Sequence, residues 1–379
     1  MTLVVETVSS IDAFAELEPE WDALVRVMPR PSPFLLHCWL EGWCRYVGSD
    51  GSLAVATARR DGRLVGAFPV VSRRRFGVHV GEFIGGRGSA LADLLLAEGE
   101  SDDTARSLVE EVRRSEITVF DLFGLPGDSR LARVAGGELA VRERIEAPIM
   151  SMPDGFEAAY KAKRGAKRRA EHRRRIRRLL EHGDAEFTLA RTLEDLQAAL
   201  EEGFRLNALR WDGRPDRSLF ATEEGRALHR AVLPRLHELG LPRILLLRSR
   251  GRAVAFQYWL QFEGTMVSNR RAFDPEFAKF SPGVLTMLRA LEEASADGMT
   301  RVEFLGGPEP YKLEFADGFA PLYQGIGLAH GAVGGVAARG LLGEVELRRR
   351  VRNSERLHRM YVESFAPVRR GVERLRRAR

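Results

Sequence analysis

The chain has 379 residues, of which 44% are hydrophobic and 30% charged; that length suits two domains and that hydrophobic share builds a core, which excludes a wholly disordered chain. No apolar run reaches the roughly 18 residues that span a bilayer, and Met1 to Glu6 lacks the charged start and apolar stretch of a signal peptide, so a cytoplasmic protein without a transmembrane segment is expected. The net charge of +6 is unevenly placed: Lys161 to Arg178 holds eleven Lys/Arg and one acid, Arg339 to Arg379 thirteen and five, leaving a net −12 elsewhere, a pattern of local anion binding rather than general basicity.

From the N-terminus, Ile11, Phe14, Leu17, Trp21 and Leu24 have helical spacing and predict a helix over Val8 to Val27, with Ser10 as its N-cap and Pro29 to Pro33 as its stop. Phe34 to Tyr46 predicts a second, aromatic-rich helix. It carries the two cysteines, Cys38 and Cys44, which form no CxxC and have no histidine cluster beside them; two buried thiols are expected rather than a zinc site or a disulfide. Leu53 to Arg60 and Leu64 to Arg73 predict strands joined by an Asp61-Gly62 hairpin turn. Val78 to Ile84 predicts a strand, Leu94 to Ala97 is a short apolar run, Asp103 to Arg114 predicts a helix, and Ile117 to Phe123 a buried strand.

Pro153 to Gly183 predicts one long helix, so rich in arginine that it has almost no apolar face, bridging two halves. Leu193 to Trp211 and Glu223 to Leu239 predict amphipathic helices. Arg243 to Arg248, Ala253 to Phe262 and Thr265 to Arg270 predict a three-stranded meander, Ser281 to Asp297 a helix, and Arg301 to Leu305 a strand ending at Gly306-Gly307. Arg60 to Ala67 matches Ser249 to Phe256 in pattern, and both halves run strand, strand, helix, strand, glycine, which points to a degenerate duplication. The expected divisions are 1–150 for an N-terminal half, 151–190 for the basic linker, 191–330 for the half with the working site, and 331–379 for a basic helical tail.

Two stretches carry the chemistry. In Phe273-Asp274-Pro275-Glu276-Phe277-Ala278-Lys279-Phe280-Ser281-Pro282-Gly283, Ser281 can cap a helix and Pro282 fits its first position. The free N–H groups and dipole of that helix end suit a phosphate, although the same residues also describe a capped helix with no ligand. In Gly306-Gly307-Pro308-Glu309-Pro310-Tyr311-Lys312, Lys312 could stabilise charge developing on a carbonyl oxygen and Tyr311 could donate a proton to a leaving group. Asp274 and Glu303 are general-base candidates, each a carboxylate at a strand end or loop; Asp274 also reads as a turn initiator and Glu303 as an ordinary strand residue. Arg210 and Trp211 are candidates to floor an acceptor pocket. The histidines, His79, His172, His182, His229, His237, His330 and His358 among them, show no ligand spacing, so no metal is expected. There is no GxSxG and no GxxxxGK[ST].

Taken in this order, the helix with Arg210-Trp211, the meander, FDPEF and FSPG, the helix, the strand and GGPEPYKLEF resemble the GNAT-related acetyltransferase family of CelD-like and BioF2-like proteins, distant relatives of the FemABX aminoacyltransferases. The resemblance covers about Leu200 to Gly325. It extends more loosely over Trp21 to Leu125 through Pro33-Phe34, Trp39 and Trp43, and Lys163 to Arg178 looks like the family's Arg-rich linker. It implies an α/β (mixed α+β) tandem GNAT-like fold, two mixed-sheet halves flanked by helices and joined by a basic helix. It also implies an acyl-CoA co-substrate with its pyrophosphate at Phe280, Ser281, Pro282 and Gly283, and its acyl carbonyl against Val267, Ser268, Asn269 and Arg270. Lys312, preceded by Tyr311, would lie near that carbonyl, and an amine would attack the thioester directly, without a metal. The acceptor implied is a small molecule or a cell-envelope or polysaccharide-pathway compound.

Two other functions fit the same residues. A FemABX-like transferase would take its acyl group from an aminoacyl-tRNA held by the basic linker, which however lacks interleaved aromatics for base stacking. A non-enzymatic protein would use the two basic segments on a nucleic acid or an anionic surface, against which stands the reading of both as solvated charged helices.

Overall fold

The computed structural model describes residues 2–353, apart from 76, 89–90, 182–184 and 211–218. Trp211 and the tail beyond Asn353 therefore lie outside the described residues. The helix expected over Val8 to Val27 is three elements: strand β1 (Leu3–Val8), helix α1 (Ile11–Ala15) and helix α2 (Glu18–Arg26). Ser10 caps α1 through Ala13 N–H, and Pro19 starts α2 afresh, since proline suits the first helical turn. After a 3-10 turn comes α3 (His37–Tyr46), then β2 (Ser52–Leu53), β3 (Val55–Arg60), β4 (Arg63–Phe68) and β5 (Val70–Arg75). Asp61 and Gly62 have positive φ in the β3–β4 hairpin as expected. The strand expected over Leu64 to Arg73 breaks at Pro69, which has no N–H for a ladder. The half continues through β6 (Val78–Phe83), β7 (Leu95–Leu96), α4 (Asp102–Arg113), β8 (Val119–Pro126), α5 (Arg130–Ala135) and β9 (Leu139–Ile145).

Then come β10 (Pro148–Ser151), α6 (Phe156–Lys163) and α7 (Ala166–Glu181). The single long bridge helix is thus two helices, parted at Arg164-Gly165, where Arg164 leaves the helical region. Of their apolar residues Phe156, Tyr160 and Leu179 are buried, and Tyr160 Oη bonds His172 Nδ1 at 2.6 Å. The second half adds β11 (Glu186–Ala190), α8 (Leu193–Arg210), α9 (Glu223–Glu238), β12 (Pro242–Ser249), β13 (Arg252–Phe262) and β14 (Thr265–Phe273). It closes with α10 (Pro282–Ala296), β15 (Arg301–Glu303), α11 (Pro310–Leu313), β16 (Gly318–Phe319), β17 (Leu322–Gly327) and α12 (Gly331–Asn353).

Three sheets result. Their orders are β1-β3-β4-β7, β2-β5-β6-β8-β17-β9 and β11-β12-β13-β14-β15-β10-β16. Each half contains one parallel pair spanned by a helix, β6 and β8 around α4, and β14 and β15 around α10. This is the shared order read from the sequence, and it makes the molecule a tandem GNAT-like fold. The halves also exchange strands. β10, late in the first half, pairs with β15 in the seven-stranded sheet of the second half; β17, late in the second half, lies between β8 and β9 in the six-stranded sheet of the first. Across the junction α3 packs on α9, and Gly42 permits the contact: a Cβ there would lie 2.6 Å from Val232. Cys38 and Cys44 are free and half-buried, and burial pushes both thiols up to about 12.

Candidate active site

β14 and β15 pair only over Thr265–Val267 against Arg301–Glu303 and then part. β14 carries on and gains an extra residue, Asn269, at a bulge opposite Tyr258/Trp259. β15 stops because Leu305 and Gly306 take positive φ and turn the chain aside. The gap between the diverging strands opens into a cavity of about 310 Å3. Its walls come from both halves. Ser268, Asn269, Arg270, Arg271, Asn207, Arg210, Glu309, Tyr311 and Lys312 line one side, and Phe34, Phe123, Ile145 and Leu322 the other.

Lys312 is 4% exposed and its charge is held inside the fold. Its ammonium donates to Leu305 O, to Gly307 O at 3.2 Å and to the Glu309 carboxylate at 2.6 Å. An ammonium has three N–H groups, so all are engaged. Lys312 therefore clamps the turn that follows β15 and acts on the cavity through its charge. Burial pulls its pKa below the ordinary lysine value despite Glu309. Beside it the Arg271 guanidinium stacks on the Tyr311 ring. Burial first, and Arg210 as a further like charge, draw Arg271 down to about 10, while burial raises the Tyr311 phenol. Asn269 Nδ2 is buried, with the Tyr258 hydroxyl as its neighbour.

The start of α10 differs from the expectation in one respect. Ser281 does not cap the helix with its side chain: it sits at φ 55°, ψ 48°, and its hydroxyl accepts from Arg175 Nη1 of α7 at 2.9 Å. Pro282 does occupy the first helical position. Gly283 is required by a close approach, since a Cβ there would lie 2.8 Å from Arg271 Nη1. Phe280, Ser281, Pro282 and Gly283 therefore do not line the cavity; Arg271 stands between them and it. The positive end of α10 has no acid in its first turn and is bracketed by two guanidinium groups. The equivalent helix of the first half, α4, opens on Asp102 and Asp103. A helix start favours anions, so the two aspartates opening α4 complement its dipole, whereas α10 has no acid in its first turn and two arginines beside it, Arg175 being paired with Glu171.

The two general-base candidates lie off the cavity. Asp274 is buried, caps the 3-10 turn after β14 by accepting from Glu276 N at 3.1 Å, and pairs with Arg252. It is the turn initiator that its following proline suggested. Glu303 faces a separate depression together with Val267 and is held by Arg30 of the first half, at 3.0 and 2.5 Å, and by Arg301 at 3.0 Å. Arg210 does line the cavity, donates to Arg271 O at 3.3 Å and lies over the Phe273 ring. Sequence reasoning passed over Arg175, Arg271, Asn207 and Glu309. Glu309 had a signal, its i,i+3 spacing to Lys312. Arg271 had none, because its role depends on the twist and bulge of β14.

Residues 166–313 match the profile of the acetyltransferase (GNAT) domain. Those residues, 166–313, thus carry a domain of the GNAT acetyltransferase type. The match runs from α7, which supplies Arg175, to α11, which supplies Lys312. Among solved structures the chain is similar to FemX, at 11% identity over 86% of this chain and 97% of that one, with a TM-score of 0.57. It is similar to the C-terminal domain of a putative lysylphosphatidylglycerol synthetase from Agrobacterium fabrum, at 14% identity over 87% and 96%, TM-score 0.55. It is also similar to a conserved protein of unknown function from Bacteroides thetaiotaomicron, at 16% identity over 86% and 100%, TM-score 0.53. These are likenesses of fold. Among curated proteins none matches the chain.

Proposed function

We propose that this acyltransferase moves an acyl group from an acyl-CoA to an amine acceptor in the cavity between the halves. The observation that carries the reading is the acid-free start of α10, bracketed by Arg175 and Arg271, one side chain away from the cavity. Phosphates of the donor would rest on those guanidinium groups and the helix dipole. The acyl arm would run along the parted edge of β14, with its carbonyl at the Asn269 bulge. The amine nitrogen attacks the carbonyl carbon, the oxygen takes up negative charge, the C–S bond breaks, and the thiolate leaves with a proton. Asn269 Nδ2, at the bulge, would donate to that oxygen, while Lys312 and Arg271 stabilise it through their charge; a well-placed donor is worth on the order of 10²–10³-fold. Glu309, the cavity-lining carboxylate paired with Lys312, would accept the proton that the amine loses. The acceptor enters from the first-half wall, past Phe34, Phe123 and Leu322. The steps need no metal, and among the described residues no group of three His, Cys, Asp or Glu is placed to hold one.

A second reading keeps the site and changes the donor to an aminoacyl-tRNA. It is favoured by the fold likeness to FemX and by α7, where Lys167, Arg173, Arg174 and Arg178 are exposed beside the start of α10. The likeness to the synthetase domain is consistent with a cell-envelope acceptor. Thermal melting with coenzyme A and with charged tRNA separates the two. A rise in Tm with coenzyme A alone supports the first reading; a rise with tRNA alone replaces it by the second.

A further inference from the structure

α12 has two unlike faces. Its inner face lies on β8 and β17, with Leu341 buried against Val80, Val119 and Ile326. Its outer face carries Val333, Val336 and Leu347, exposed at 63%, 62% and 62%, the highest values among the exposed large hydrophobic residues described. At 100° per residue these three share one stripe with Gly340 and Gly343, around which a Cβ would meet nothing within 4 Å. The stripe borders an apolar groove of about 720 Å3 whose other wall is Val78 and Val80 of β6. A helix on a protein surface ordinarily turns polar residues outward, so this face has an occupant.

We propose that α12 lays this face on an anionic phospholipid bilayer surface and attaches the protein to it peripherally. Charge selects the occupant. Arg339 and Arg350 follow Val336 and Leu347 by three residues each and so stand at one edge of the stripe, both exposed; Arg350 and Arg348 also pair with Glu346 and Glu344 one turn before them. From Arg339 to the C-terminus the sequence holds thirteen arginines against five acids. A second copy of the chain on this face would bring two such segments together, like charge against like; anionic headgroups complement them while the acyl boundary takes the valines and leucine. The helix is not long and apolar enough to cross the membrane, so it lies on it.

Flotation of the full chain with phosphatidylcholine vesicles, with and without phosphatidylglycerol, tests this. The chain should float with the phosphatidylglycerol vesicles only, and less as salt is raised. The double variant Val336→Glu/Leu347→Glu, at exposed positions, should keep its circular dichroism and lose binding by about tenfold or more. Should that variant misfold, Arg339→Glu/Arg350→Glu should show the same loss. The proposal is overturned if the chain ignores phosphatidylglycerol, or if the folded variant binds as before. It is equally overturned if light scattering finds a dimer that the double variant dissolves, which would give the face to a second copy. The proposal is independent of the donor assigned to the cavity.

Discussion

At the scale of single residues, the site rests on cations that the fold buries and then uses. Lys312 closes the turn after β15 with three hydrogen bonds, so its removal acts twice. Lys312→Met should lower kcat by on the order of 10²-fold through lost charge. It should also lower stability by about 1–3 kcal/mol, because Leu305 O, Gly307 O and Glu309 lose their partner. Steady-state kinetics and a melting curve check both; unchanged turnover would remove Lys312 from the chemistry. Its depressed pKa has a sign that can be read. Between that value and the ordinary lysine value the unfolded chain binds the proton and the folded chain does not, so stability contributed by this group rises with pH there, while its charge in the cavity is lost. Activity should therefore decline on the alkaline side below the ordinary lysine pKa. Arg271→Ala should act differently, raising the donor KM by about tenfold or more for a lost charge-assisted phosphate contact. A KM that stays put would take the donor phosphates away from Arg271.

At the scale of elements, the same supersecondary unit appears twice and only one copy is fit for an anion. α4 and α10 both bridge a parallel pair, yet α4 opens on two aspartates and α10 on none. The assignment of the donor site to the second half is thus an argument about helix ends, not about sheet geometry. α9 carries a different consequence. His229 is buried among Trp39, Phe204, Phe220 and Tyr258, with neither ring nitrogen hydrogen-bonded, and burial drives its pKa to about 3. The unfolded histidine takes a proton near its ordinary value and the folded one does not. Stability should therefore fall as the pH drops below about 6.5, with a limiting slope of about 1.4 kcal/mol per pH unit from this group. In His229→Leu that part of the slope should vanish, and denaturant titrations at pH 7 and pH 5 would show it. Equal slopes in the two proteins would mean that His229 titrates normally.

At the scale of the whole molecule, the halves are tied by exchanged strands, by the α3–α9 contact at Gly42 and by the Arg30–Glu303 ion pair. The last of these decides between two roles for Glu303. As an ion-pair member it should be needed for stability and not for catalysis. Glu303→Gln should keep kcat within about threefold while Tm falls, since Arg30 is left without its charge partner across the junction. A large fall in kcat at unchanged Tm would return Glu303 to the list of bases.

Much of this was legible in the chain because it depends on neighbours in sequence. The hairpin at Asp61-Gly62, the meander Arg243 to Arg270, the proline-led start of α10 and the Gly306 turn before Lys312 follow from local backbone preference and hydrophobic period. That Lys312 follows a glycine turn was legible in the same stretch; that it is buried was not. What the chain did not disclose depends on contacts between distant residues. Which carboxylate faces the cavity was decided by Arg30 and Arg252, which draw Glu303 and Asp274 elsewhere and leave Glu309. The donors at the start of α10 come from α7 and β14, each brought there by packing. The exchange of β10 and β17 has no local signal either, because a strand's alternation specifies a face to bury and not the sheet that will bury it.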